Sequence, residues 1–360
     1  MLPAALADRG RPTVLAFIDL VQDIDVLAPL LAAVRADGRL GLRIRVSRWL
    51  ERQSPRTAAV LGSLGLGFSY VRRRDVIEGR APSLRGIKAV VSASESSHAA
   101  HTAAHALALR AEAAGVRTYA LQHGFENAGL FGIEAAAVRF ASETLFCWFP
   151  AEAADAELAP ETRAKLIHVG RPGVFDAGPP SPAAYDVGVF ENLHWERYSD
   201  ADRTAFREGL IGLALARPQL RILLRSHPAG AWADRELGHE LAQFPNITRA
   251  GGTEARRLVA GGVDVLKGLA RVITTPSTIA LDAAQAGKPV ALAVAGGAAY
   301  APLPVLAGAD DWVSFASGQA YDPRSLDQFL RRVLVAGDGA QRIIERLSRE
   351  LLGKRGLPHE

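Results

Sequence analysis

The sequence predicts an α/β protein made of two doubly wound domains with parallel sheets, and three observations carry that expectation. First, 360 residues exceed the roughly 250 to 300 at which a single core stops growing. Second, short apolar runs alternate with helix-period segments, the pattern of βαβ units and a parallel sheet. Third, the alternation breaks at Gly170-Arg171-Pro172-Gly173 through Ala177-Gly178-Pro179-Pro180-Ser181-Pro182 and then starts again; a stretch this rich in Pro and Gly reads as a linker. The expected layout is a Rossmann-like domain over 1–170, a linker over 171–184, a second Rossmann-like domain over 185–335, and a terminal helix over 336–360 that packs back on the first domain. The two domains are expected to face each other across a cleft.

Each element follows from run length or period. Thr13 to Leu20 reads as a strand, Ile24 to Arg35 as a helix, Leu42 to Val46 as a strand and Arg56 to Leu64 as a helix. Ile87 to Val91 is a strand, His98 to Ala114 a helix, and Val116 to Leu121 and Glu143 to Trp148 are strands. After the linker come strand Asp186 to Phe190, helix Asp200 to Leu215, strand Arg221 to Leu224, helix Asp234 to Gln243, a short strand near Ile247 and helix Val263 to Leu269. Strand Arg271 to Thr274, helix Ser277 to Ala286 and strand Val290 to Val294 follow, and helical patterns over Pro323 to Val335 and Ala340 to Leu352 close the chain.

Composition narrows the function classes. Hydrophobic residues are 49% and charged residues 22%, a globular balance. A net charge of +4 with a pI near 9.4 suits nucleotides, phosphorylated glycans or an acidic membrane face, and equally a solvated basic surface. The lone Cys147 lies in an apolar run, which excludes a disulfide framework or a Cys-based metal site and fits a cytoplasmic protein. Leu2 to Leu6 is too short for a secretory signal, and no segment approaches ~18 uninterrupted apolar residues, so any contact with the inner membrane is expected to be peripheral. Neither a G-x-G-x-x-G turn followed by an acidic residue nor a G-x-x-x-x-G-K-[ST] loop occurs, which argues against a dinucleotide oxidoreductase and a P-loop NTPase.

Polar groups gather where strands stop, and ligands of open α/β sheets sit outside the carboxyl ends of strands. Arg225-Ser226-His227-Pro228 ends one second-domain strand, and Thr275-Pro276-Ser277-Thr278 joins another to its helix. The Ser277 and Thr278 hydroxyls and the N–H groups of that helix's first turn suit an anion, so the pair reads as a phosphate clamp. His227 is placed to donate to a leaving phosphate, and Arg225 to add a bidentate contact. Glu191 and Asn192 end the opening strand of the second domain, with Glu191 a candidate carboxylate. In the first domain, Gln122-His123-Gly124 and Glu126 form a strand-end loop in which Gly124 admits a ligand and Glu126 is a candidate general acid or base. His98, His101 and His105 recur at helical spacing without an H-E-x-x-H pattern and read as a polar helix face. Ser92 to Ser97 reads as a helix cap or acceptor lining, and Asp19 as a further strand-end acid.

Taken in order, Gln122-His123-Gly124 with Glu126, then Glu191, then Arg225-Ser226-His227-Pro228, then Thr275-Pro276-Ser277-Thr278, the chain resembles GT-B-fold glycosyltransferases of bacterial surface polysaccharide biosynthesis. Within them it looks most similar to capsule and O-antigen Kdo transferases and to the sialyltransferases with a His-Pro motif. The resemblance implies that His227, Ser277 and Thr278 hold the nucleotide phosphate and that Glu126 acts on the acceptor. It also puts Glu191 where the retaining Kdo enzymes carry an Asp nucleophile. Gln122-His123-Gly124 is also similar to the His-Gly loop of CDP-glycerol glycerophosphotransferases, without their following Thr-Pro and Lys.

The resulting expectation is a metal-independent GT-B transferase with no cofactor beyond its nucleotide-sugar donor. It would move a CMP-activated ulosonic acid, such as Kdo or a nonulosonic acid, onto a glycan, lipid-linked or protein acceptor, without nucleic acid. The alternatives are a CDP-glycerol-type polyol phosphate transferase, a nucleotide-sugar 2-epimerase of the same fold, which needs several carboxylates around one sugar and no acceptor groove, and a non-catalytic glycan- or nucleotide-binding protein.

Overall fold

The computed structural model describes residues 10–134, 136–173, 183–227, 230–250, 262–319 and 321–353. Leu2 to Leu6, the linker residues 174–182 and Pro228 lie outside the described residues. The chain divides into two compact units, one of residues up to 174 together with those from 334 onward, the other of residues 175–333.

In the first unit the strands are β1 (Thr13–Ile18), β2 (Gly41–Ser47), β3 (Phe68–Val71), β4 (Ile87–Ser92), β5 (Arg117–Leu121), the short pair β6 (Asn127–Ala128) and β7 (Gly132–Ile133), β8 (Thr144–Cys147) and β9 (Leu166–His168). Seven of them form a sheet in the order β3-β2-β1-β4-β5-β8-β9, with every neighbouring pair parallel. The helices are α1 (Asp23–Asp37), α2 (Arg48–Gln53), α3 (Arg56–Ser63), α4 (Arg73–Ile77), α5 (Thr102–Ala113) and α6 (Pro160–Arg163). Leu15 and Phe17 of β1 and Val90 of β4 pack against Ala103, Ala104, Leu107 and Ala111 of α5, where the run of alanines lets the helix lie close to the sheet. The segment His98 to Ala114 is not one continuous helix: His98 caps a 3-10 turn over Ala99–His101, its Nδ1 accepting from the Ala100 amide at 3.3 Å, and α5 begins at Thr102.

In the second unit β10 (Val187–Glu191), β11 (Ile222–Ser226), β12 (Ile247–Arg249), β13 (Val272–Thr274) and β14 (Val290–Leu292) form a five-stranded sheet in the order β12-β11-β10-β13-β14, again all parallel. Its helices are α7 (Asp200–Ala216), α8 (Trp232–Glu236), α9 (Gly238–Leu241), α10 (Gly262–Lys267), α11 (Thr278–Gln285), α12 (Ala309–Ala316) and α13 (Arg324–Val333). Helix α7 starts at a capping box: the Ser199 hydroxyl accepts from the Asp202 amide at 3.1 Å, and the Asp202 carboxylate accepts from the Ser199 amide at 2.9 Å. Phe206, Leu210 and Leu213 of α7 bury against Val187, Val189, Ile222 and Leu224 of the sheet and against Trp312 and Phe315 of α12. The Trp312 indole occupies the space a Cβ at Gly209 would need, so α7 carries glycine at that contact. The segment expected as one helix over Asp234 to Gln243 is two short helices, α8 and α9, that meet at Leu237 and Gly238.

Helix α14 (Gly339–Leu352) belongs to the first unit. The chain enters it with Val335 N–H donating to the Trp148 carbonyl at 2.7 Å, Arg342 donates to the Val169 carbonyl at 2.6 Å, and Tyr119 donates its hydroxyl to Glu350. Both sheets reverse their order of addition beside the first strand laid down, at β1/β4 in one unit and β10/β13 in the other. The carboxyl ends at these switch points are where open α/β sheets bind ligands.

Candidate functional site

In the second unit, the switch point gathers the ends of β10, β11 and β13. Glu191, at the end of β10, is 3% exposed. Its carboxylate accepts from the Leu193 amide at 2.9 Å and the Ala233 amide at 3.1 Å. Burial raises its pKa, against the two amides and the Ser226 hydroxyl, which lower it. Glu191 therefore joins the turn after β10 to the first turn of α8. Asn192 and Thr275 bind each other. The Asn192 amide N–H reaches the Thr275 hydroxyl at 3.1 Å, and that hydroxyl donates to Asn192 Oδ1 at 2.6 Å. Asn192 Nδ2 then donates to the Pro276 carbonyl at 2.9 Å, which fixes the peptide leading into α11.

Other members of the expected clamp lie at the ends of β11 and β13. His227 follows β11 and donates its backbone N–H to the Glu191 carbonyl at 2.8 Å. Ser226 is buried beneath it and Arg225 is half-buried. Ser277 is the N-cap of α11 in extended conformation, with its hydroxyl 3.1 Å from that of Thr274 and no side-chain cap on the helix. Thr278 opens α11, whose N-terminus carries the positive end of the helix dipole.

Three residues that the sequence reading passed over belong to this cluster. The His194 ring stacks on His227 with centroids 4.8 Å apart and planes at 26°. Arg197 donates to the Pro276 carbonyl at 3.1 Å and to the Tyr198 hydroxyl at 2.8 Å, with its guanidinium 4.8 Å from the Tyr198 ring centre. The only signal in the sequence was an aromatic and basic loop after a strand; nothing in its spacing points Arg197 at a carbonyl 79 residues away.

In the first unit, Gln122 braces the loop that follows β5. It is 1% exposed, donates to the Gly124 and Phe125 carbonyls at 2.9 and 3.2 Å, and accepts from the Trp148 amide at 2.8 Å. These bonds shape the loop that carries Gly124, itself buried, and His123 and Glu126, both half-buried. His123 donates its backbone N–H to Asn127 Oδ1 at 3.1 Å, and its ring meets the His101 ring edge-on with centroids 5.1 Å apart. Burial lowers the His123 pKa to about 4.

Of the histidines expected on a polar helix face, His98 and His105 are half-buried, His101 is buried, and only His105 lies within α5. His101 is 5% exposed, lies 2.6 Å from the Ser96 hydroxyl and packs against both His98 and His123. Burial, then the His123 and His98 rings, lowers its pKa to about 3, so it is neutral. His105 pairs with Glu95 at 2.6 Å, and that carboxylate also accepts from the Ala141 and Ser142 amides at 3.1 and 3.0 Å. Asp19, 1% exposed, pairs with Arg73 at 3.1 Å. Asp23 accepts from the Asp19 and Leu20 amides, each at 2.9 Å, and from the Ser94 hydroxyl; burial raises its pKa to about 7. Cys147 is buried and its thiol is pushed up by that burial. Among the described residues no three His, Cys, Asp or Glu side chains are grouped to hold a metal ion, and no helix is long and apolar enough to cross a membrane.

No protein-family model matches the sequence, and no curated protein matches it. Solved structures do. The co-structure of S. aureus MnaA with UDP is 13% identical with a TM-score of 0.65, covering 97% of this chain and 99% of its own. The UDP-GlcNAc 2-epimerase of Methanocaldococcus jannaschii in complex with UDP-GlcNAc and UDP is 13% identical with a TM-score of 0.65, covering 93% and 99%. Anabaena Alr3699/HepE in complex with UDP and glucose is 12% identical with a TM-score of 0.59, covering 94% and 100%. The fold is GT-B. At these identities the likeness establishes the GT-B architecture of two Rossmann-like units and leaves activity to the residues themselves.

Proposed function

We propose that this GT-B chain is an enzyme of UDP-sugar chemistry that breaks the bond between the sugar's anomeric carbon and the diphosphate, with 2-epimerisation as the first reading. The observation that carries the nucleotide reading is the second unit's switch point, where Arg197 donates to the Pro276 carbonyl that leads into α11 and His227, just past β11, donates its backbone N–H to the Glu191 carbonyl at the end of β10. Cationic and hydrogen-bond donors of this kind stabilise the charge on a departing phosphate without a metal. UDP replaces the CMP of the sequence-based expectation because structures of this fold with UDP bound are among those similar to the chain. For the same reason the 2-epimerase alternative stands ahead of transfer of a CMP-ulosonic acid. In the first unit, Glu126 and His123 are the groups assigned to proton transfer.

A second reading, transfer of the sugar to a glycan, lipid-linked or protein acceptor, is favoured by one specific feature. A 2-epimerase needs several available carboxylates, whereas Glu95, Asp23 and Glu191 are all hydrogen-bonded to backbone amides. Proton NMR of UDP-GlcNAc in D2O with the enzyme separates the two. Inversion at C2 by deprotonation exchanges the C2 hydrogen for deuterium with no acceptor present. Transfer leaves that hydrogen in place and releases UDP only when an acceptor is added. Absence of both, across a panel of UDP-sugars that the protein binds, would leave a nucleotide-binding protein and overturn the enzyme reading.

A further inference from the structure

A pocket of about 150 Å³ opens in the first unit at the carboxyl ends of β2 and β3, room for one small ring and not for a whole nucleotide. Val46 of β2 and Tyr70 of β3 are register partners on parallel strands, so their side chains stand on one face of the sheet. Glu51 comes from α2, Ser54 and Pro55 from the turn after it, and Thr57 from the first turn of α3. Val46, Pro55 and the Tyr70 ring make an apolar wall, whereas Glu51, Ser54 and Thr57 supply a carboxylate and two hydroxyls. Phe68 meets the Tyr70 ring edge-on with centroids 5.4 Å apart, and the Arg48 guanidinium lies 5.8 Å from its centre, so the ring is fixed. The residue that calls for a ligand is Thr57. It is 2% exposed, and its hydroxyl has no hydrogen-bond partner among the described residues. A buried hydroxyl left unpaired costs free energy, and such groups in folded proteins are nearly always bonded. The Ser54 hydroxyl accepts from the Arg56 amide at 3.3 Å and keeps its proton to donate.

The lining selects among ligands. Glu51 is its one acid, too few for a divalent cation and of the wrong sign for phosphate. Arg48 pairs with that carboxylate at 3.9 Å and does not line the pocket. An apolar wall opposite hydrogen-bonding groups suits a ring with a C–H face and hydroxyls around its edge. We propose that the pocket binds an uncharged pyranose of a glycan, its C–H face on Tyr70 and Val46 and its hydroxyls bonded to Thr57, Ser54 and Glu51. β2 and β3 stand outside the β1/β4 switch point, so the ring held here anchors the glycan and is not the sugar that reacts. The inference goes beyond the nucleotide reading of the second unit and stands without it.

The test is saturation-transfer difference NMR of the full chain with glucose, galactose, mannose and N-acetylglucosamine, each with and without UDP. Wild type is expected to bind at least one of them with a dissociation constant on the order of 1 mM, the scale of one small ring. Thr57→Val keeps the side chain's shape and removes the hydroxyl. It is expected to weaken sugar binding about fivefold, the scale of one hydrogen bond, without lowering the thermal midpoint, since no partner within the protein is lost. Glu51→Ala, at an exposed position of α2, is expected to weaken binding to a similar degree and serves in place of Thr57→Val if that variant does not fold. UDP is expected to leave the sugar signal unchanged. No signal from any of the four sugars in wild type, equal affinity in the folded variants, or loss of the signal on adding UDP overturns the inference. Sugar binding that the variants weaken, in a protein that does not bind UDP, supports this pocket and overturns the nucleotide reading alone.

Discussion

Gln122 and Glu191 read from the sequence as site residues, and in the structure both hydrogen-bond the backbone of the turn that follows them. A polar side chain at a strand end faces either the ligand or the backbone of the next turn, and sequence does not say which. The strand-end position of His227 was legible from the apolar run that precedes it. The mutual pairing of Asn192 and Thr275 was not, because it joins residues 83 apart. Removing the Gln122 amide in Gln122→Ala orphans the buried Trp148 N–H, so a loss of about 1 to 3 kcal/mol is expected in urea unfolding. An unchanged midpoint would mean that water replaces the amide. Glu126→Gln keeps the shape of the side chain and removes its basic lone pair. Turnover is expected to fall roughly 10²-fold with nucleotide affinity preserved, while folded Glu191→Gln, altered at a side chain that joins two turns, is expected to lose stability more than turnover. The reverse pattern in steady-state rates would exchange the two roles.

At the scale of elements, the long apolar runs and their helices were readable, and the edges were not. β3 and β9 have only four and three residues and are largely half-exposed, so neither makes an apolar run that stands out from a loop. The break between α8 and α9 and the 3-10 turn before α5 were hidden because helical period continues through both. The β1–α1 turn offers a test by pH. The folded pKa of Asp23 is raised from 3.8 to about 7, so between those values the folded protein holds a proton that the unfolded chain has lost. This contribution to stability is present below the unfolded value and is lost as pH rises through about 7. Asp23→Asn does not titrate, and its amide can keep the contacts to the two backbone N–H groups and to Ser94. Its thermal midpoint is therefore expected to gain on wild type steadily from about pH 4 to pH 7. A difference that stays flat over that range would show that Asp23 is ionised in the folded state.

For the molecule as a whole, two α/β units and the restart of alternation after the linker were already written in the sequence, and the GT-B fold was what the resemblance of the strand-end motifs implied. The identity of the nucleotide was not, since base recognition leaves no pattern that strand-end motifs reveal. Turnover is expected to survive EDTA, because the charge of the leaving phosphate is assigned to His227, Arg197 and the start of α11. Loss on chelation with recovery on adding magnesium or manganese would contradict that assignment. The most direct measurement is calorimetric titration of UDP into wild type and His227→Ala. Wild type is expected to bind, and the variant to lose roughly 1.5 to 3 kcal/mol of binding free energy, the value of a hydrogen bond to a charged group. Equal affinity in the two folded proteins would contradict the placement of the phosphate at the carboxyl ends of β10, β11 and β13.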